Sequence, residues 1–292
     1  MKTAYFDTCV YSEMDKGPGG QVSPEEVEGL RAAIARKDIV VRVSLADIDE
    51  LVGELKTDRP AMVRKLRIIR ALVGFHGMLK QPTDLLRESI QAYAEGRPSP
   101  ATQLLETDRR AVVKCLADVA AGSTRLDAAL AGITADVNDL KNTFRAGMKE
   151  AQAETLAELG WESRDPEERR ALTFETFWKA GAERFADDFA TARGWGEACR
   201  KRGLGGLLGI RPVRLFVGVA MSQIYSQVVG DPEQAEFRLP HRGDGYDLWH
   251  AVLASTNDVF VTLDRRLAAH VERVPGIDGF RVARSVGAAL TG

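Results

Sequence analysis

The chain has 292 residues, 45% of them apolar and 28% charged, with a formal net charge of -2. That balance belongs to a globular protein with enough chain for one large domain or two ordinary ones, and it excludes disordered and fibrous classes. A global positive field is absent, so any contact with RNA or DNA has to come from local basic patches.

In chain order, residues 3–6 read as a short apolar strand, 24–36 as a helix, 39–43 as a β-branched strand and 45–56 as a second helix. Alternation of this kind predicts a parallel sheet with right-handed crossovers. From 57 to 239 no strand is predicted. Apolar periodicity recurs there over 62–72, 85–93, 111–119, 126–144, 151–159, 172–190 and 213–228. Breakers at Gly96-Arg97-Pro98, Asp165-Pro166, 203–209 and Asp231-Pro232 separate these helices. The C-terminal part returns to α/β, with a helix at 247–255, a strand at 259–263, a helix at 265–271 and a last strand at 280–283. The expected fold class is therefore α/β: a short parallel sheet flanked by helices, formed by 1–56 plus 240–292 and interrupted by an all-α insertion over 57–239.

Cys9, Cys115 and Cys199 lie far apart and form no CxxC pair. This spacing argues against a disulfide framework and a zinc site, and suits a reducing cytoplasm. Asp7 interrupts the first apolar run, so the start lacks a secretory h-region. The most apolar stretch, 204–225, is broken by Arg211, Pro212 and Arg214 and is too short and charged to span a bilayer. A cytoplasmic protein without membrane contact is expected.

Four carboxylates stand where such a scaffold places ligands. Asp7 ends the first strand, Glu50 sits in the helix after the second, Asp247 opens an apolar helix and Asp264 ends a later strand. The carboxyl ends of parallel strands share one edge, where ligands bind. Clustered carboxylates repel one another unless a cation neutralises them. An oxygen ligand set without a Cys or His cluster points to Mg²⁺ or Mn²⁺ rather than Zn²⁺.

The succession of a strand-terminal Asp7, then Ser44 with Glu50-Leu51-Val52-Gly53, then Asp247-Leu248-Trp249-His250-Ala251, then Phe260-Val261-Thr262-Leu263-Asp264 resembles the PIN-domain ribonucleases. The resemblance covers 1–56 and 240–284, less than half of the chain. It implies a PIN-like α/β nuclease domain in which Asp7, Glu50, Asp247 and Asp264 are catalytic metal ligands and the Thr262 hydroxyl supports them. It also implies an endoribonuclease that hydrolyses RNA by metal-activated water. Many such ribonucleases are toxins held by an inhibitory partner protein, and the resemblance leaves that role open here. The insertion, about 180 residues where most members have two or three helices, offers other roles: inhibition, substrate selection or a homodimer interface.

Plainer roles compete for each residue. Asp7 also suits a turn, though a carboxylate directly after Tyr5-Phe6 needs a partner. Asp264 and Asp247 suit helix N-caps, and Asp244 competes with Asp247 as ligand. Ser44 and Asp47 form a capping box that accounts for Asp47, and Asp49 reads as solvated. His250, one turn after Asp247, reads as a satisfied core residue, as does Trp249. Arg64, Arg67 and Arg70 form a three-residue repeat that reads either as a solvated face or as a stripe for an RNA backbone, and the Arg265-Arg266 pair is a second candidate for phosphate contact. The glycine-rich segment 203–206 lacks the lysine and hydroxyl of a P-loop and reads as a flexible linker. Two rival functions remain: a phosphatase or phosphotransferase using Asp7 as nucleophile, although Cys9 stands where a second Asp is usual, and a non-catalytic RNA- or protein-binding module.

Overall fold

The computed structural model describes residues 1–53, 55–73, 78–98, 109–158, 165–230 and 244–291. Its elements, in order, are β1 (Lys2–Phe6), α1 (Thr8–Asp15), α2 (Pro24–Ala35), β2 (Ile39–Ser44), α3 (Leu45–Val52), α4 (Leu55–Val73), β3 (Met78–Leu79), α5 (Pro82–Ala94) and α6 (Arg109–Ala120). They continue with α7 (Asp127–Glu158), α8 (Pro166–Ala171), α9 (Phe174–Thr191), α10 (Gly196–Arg202), α11 (Leu204–Leu208), α12 (Arg211–Tyr225), α13 (Asp244–Ala254), β4 (Val259–Val261), α14 (Arg265–Arg273), β5 (Arg281–Ala283) and α15 (Val286–Leu290). The breaker Asp231-Pro232 and the end of the predicted insertion at 239 lie outside the described residues.

The strands form one sheet of five, in the order β3-β2-β1-β4-β5, and every pairing is parallel. Tyr5 lies between Arg42 of β2 and Phe260 of β4. Period-2 alternation divides the core between the two faces. Ala4, Phe6, Val41, Val43, Val259 and Val261 pack with α1, α2, α4 and α15, whereas Tyr5 and Phe260 pack with α5, α9, α12, α13 and α14. With both faces covered, all of β4 and β1 from Ala4 onward are buried, as the centre of an all-parallel sheet requires.

Three expectations are corrected. The segment 57–239 does contain a strand: β3 pairs Met78 and Leu79 with Val43 and Ser44 and extends the sheet beyond β2. Two residues are too few for hydrophobic periodicity to register, which is why the segment read as all-α. The helix expected over 45–56 stops at Val52, and α4 carries a break at Asp58, whose carboxylate accepts the Ala61 N–H just before the Pro60-containing turn settles into helix. The glycine-rich segment is not a linker. Gly203 takes φ +95 and starts α11, and a Cβ at Gly206 would collide with the Tyr93 hydroxyl, so glycine permits close packing there.

Candidate metal centre

In the order β3-β2-β1-β4-β5 the chain leaves β1 towards β2 on one side and returns at β4 on the other. The crevice at the carboxyl ends of β1 and β4 is thus the switch point at which open α/β sheets bind ligands. Asp7 follows β1 directly and Thr262 follows β4. The Asp7 N–H donates to Val261 O at 3.0 Å, and its side chain accepts the Cys9 N–H, capping α1. Its turn role and its place at the switch point therefore coexist.

Around Asp7 the side chains are closely held. The Thr262 hydroxyl donates to Oδ2 at 2.7 Å and accepts the Asp264 N–H at 3.1 Å. The Cys9 thiol donates to the same Oδ2 at 3.0 Å. Burial, with the Asp7 charge beside it, pushes the Cys9 thiol well above its ordinary pKa, so it stays a thiol. Thr8 Oγ1 lies 2.6 Å from Glu50 Oε2, donating to it and bringing the α3 carboxylate to the start of α1.

His250 completes the group. Its Nε2 lies 3.1 Å from Glu50 Oε2 and 3.5 Å from Asp7 Oδ1, and among the described residues Asp7, Glu50 and His250 offer ligand atoms all within 4.8 Å of one another. Nδ1 faces the Tyr5 hydroxyl at 2.7 Å, and that hydroxyl is 2.5 Å from Asp47 Oδ1. Burial alone would lower the imidazole pKa, but the charges of Asp7, Glu50 and Asp47 outweigh it and push His250 up to about 10. Burial pushes Asp47 up to about 6 despite the neighbouring His250.

The predicted acids part company. Asp7 and Glu50 converge. Asp264 caps α14, its Oδ1 accepting the N–H groups of Arg266 and Leu267, and is joined to Asp7 only through Thr262. Asp247 is not an N-cap, because α13 begins at Asp244; its Oδ2 accepts from Arg266 Nη2 at 3.4 Å. The Asp244 side chain lies outside the described residues. Asp49, expected in solvent, is half-buried and bonded to Gln81, and burial pushes it up to about 6. His250 is buried and satisfied, as a core histidine would be, yet its partners are the acids. Its Asp247-x-x-His250 spacing was the available signal, since i and i+3 share a helix face.

No family model, curated protein or solved structure matches the chain. Two carboxylates and an imidazole nitrogen, each turned and fixed by a further hydrogen bond, fit a divalent cation. No helix among the described residues is long and apolar enough to cross a membrane.

Two of the basic candidates are engaged by the protein itself. Arg64 chelates Asp15 through Nε and Nη2 at 2.8 and 3.0 Å, and Arg67 Nε donates to Ala120 O at 2.6 Å. Arg70 and Arg265 are exposed.

Proposed function

We propose that the protein is a metal-dependent phosphodiester hydrolase acting on RNA, with Asp7, Glu50 and His250 holding a divalent cation and with Asp264 and Asp247 flanking it. The observation that carries this reading is the convergence of those three ligand atoms at the switch point of the parallel sheet. The PIN-domain resemblance supports it and supplies RNA as the substrate class. The chemistry of such a cation is to neutralise charge on the phosphoryl group and acidify an attacking water. Thr262 and Thr8 hold Asp7 and Glu50 in place by donating to them. Cys9, kept as a thiol, supplies neither a nucleophile nor the second acid that an Asp-based phosphatase would need beside Asp7.

One observation favours the non-catalytic alternative. A protonated His250 already offsets Asp7 and Glu50, so the cluster can persist as an internal salt bridge without metal. Labelled single-stranded and hairpin RNAs, incubated with the full chain in EDTA, Mg²⁺ or Mn²⁺, separate the two. Cleavage that requires the cation is expected. Cleavage undiminished in EDTA, or no cleavage with any cation together with no cation effect on melting, overturns the proposal.

A further inference from the structure

The bonds behind His250 determine which of its nitrogens can act. Tyr5 and Asp47 are fully buried. Asp47 Oδ2 accepts the Ser44 N–H at 2.6 Å while the Ser44 hydroxyl receives the Asp47 N–H, so the carboxylate is pinned by the capping box at the start of α3. Its Oδ1 lies 2.5 Å from the Tyr5 oxygen, within the short range of an O–H donating to a carboxylate. A tyrosine has one proton. Given to Asp47, it leaves the Tyr5 oxygen only as an acceptor towards His250 Nδ1, 2.7 Å away. Nδ1 therefore keeps its hydrogen, and Nε2, whose proton faces Glu50, is the nitrogen that offers a lone pair once a cation takes that proton's place. Nε2 is also the nitrogen turned towards Glu50 and Asp7.

We propose that Tyr5 and Asp47 are a positioning pair that fixes the His250 tautomer, making Nε2 the nitrogen ligand of the centre and giving it a preference for Mn²⁺ over Mg²⁺. The proposal rests on the metal-centre reading above and specifies its ligand set. Mg²⁺ favours oxygen ligands in near-ideal octahedral geometry and keeps its waters, whereas an imidazole suits the transition metals. The oxygen-only set expected from sequence gave no ground to choose between the two ions. The imidazole does. The tyrosine–carboxylate pair behind the histidine is the arrangement by which second ligating shells orient a ring, and losing such a partner lowers metal affinity about 10- to 100-fold.

The test uses the full chain with Mn²⁺ as probe. Pulsed electron paramagnetic resonance of the bound ion is expected to show nitrogen-14 coupling in the wild type and none in His250→Gln. Calorimetric titration is expected to give tighter binding of Mn²⁺ than of Mg²⁺, with Tyr5→Phe weakening Mn²⁺ about 10- to 100-fold while its circular dichroism remains that of the wild type. Bound Mn²⁺ without nitrogen coupling overturns the inference and leaves the hydrolase reading standing. Unchanged Mn²⁺ affinity in Tyr5→Phe overturns the positioning role. Absence of Mn²⁺ binding in the wild type overturns the inference and the metal centre together. The wild-type spectrum decides the ligand even where a variant fails to fold.

Discussion

Two histidines are equally buried in this fold and sit in opposite fields. His250, 2% exposed, faces Asp7, Glu50 and Asp47, which hold it up to about 10. His270, 3% exposed on α14, is pushed down to about 3 by burial, with the charges of Arg273 and Arg266 adding to it. Its Nδ1 meets the Ser222 hydroxyl of α12 at 2.9 Å, and Arg273 donates to Ser222 and Ser226. Burial thus does not distinguish the two histidines. The sign of its neighbours does: one region concentrates negative charge that a cation can complete, and the other has already filled its polar core with arginine.

The largest effect that would break this comparison is on metal binding. A cation at one hundred times its Kd stabilises the folded state by about 2.7 kcal/mol. Asp7→Asn and Glu50→Gln are expected to lose most of that gain and to drop RNA cleavage by more than the about 10- to 100-fold that losing an outer partner of a metal ligand costs. Asp264→Asn, which caps α14 about as well, and Asp247→Asn, whose carboxylate answers Arg266, are expected to retain most of the metal response. Thermal melts with EDTA and with Mn²⁺ read all four. An equal response across them would mean that Asp7 and Glu50 hold no privileged cation.

A smaller effect sharpens the other half. The folded pKa of His270, about 3, lies below its ordinary 6.5, so the unfolded chain binds its proton first. The stability linked to His270 is present above pH 6.5 and is lost as pH falls towards 3, with a slope of up to ~1.4 kcal/mol per pH unit for one proton. Asp47, raised to about 6, acts in the other direction between pH 6 and its ordinary 3.8, because protonation there favours the folded state. The difference between wild type and His270→Gln isolates the histidine, since a glutamine still reaches the Ser222 hydroxyl without titrating. Denaturant melts between pH 7 and 4 should show the variant losing less stability than the wild type. Parallel curves would refute the assignment.

The sequence made the strands that border the centre legible because each ends in a polar residue at a predictable edge: Asp7 just after β1, Ser44 at the end of β2, Thr262 just after β4. The pairing order, which turns that edge into a crevice between β1 and β4, was out of reach, because β3 is two residues long and hydrophobic pattern does not specify which strands neighbour which. Position at that edge singles out Asp7 and Glu50, whose side chains the fold brings together. His250 reads as plain core because, on one helix, a buried histidine looks the same whether its partners are Asp7 and the α3 acids or a serine such as Ser222. The partner of Asp247 is hidden for the same reason, since Arg266, which answers its charge, comes from α14. Long-range partners decided each of these cases, and local spacing carries no information about them.

The smallest expected effect concerns Arg64, Arg67 and Arg70, whose regular repeat suggested one phosphate-binding stripe. An α-helix turns about 100° per residue, so positions three apart drift, and Arg70 lies about 120° around the axis from Arg64. The structure puts this drift to use: Arg64 reaches Asp15 at the end of α1, Arg67 reaches the Ala120 carbonyl at the end of α6, and Arg70 is exposed. Charge spent on protein partners does not release counterions from RNA. Arg70→Glu is therefore expected to weaken RNA binding and to flatten the dependence of log K on log salt by about one contact's worth, roughly 0.7 for a single strand. Arg64→Ala should leave that slope unchanged and change stability little, as the loss of an exposed ion pair does. Salt titrations of RNA affinity for the two variants and the wild type measure this directly. A slope that falls with Arg64→Ala and not with Arg70→Glu would show that RNA displaces Asp15, extending the nucleic-acid surface from α4 towards the far end of the helix that Asp7 caps.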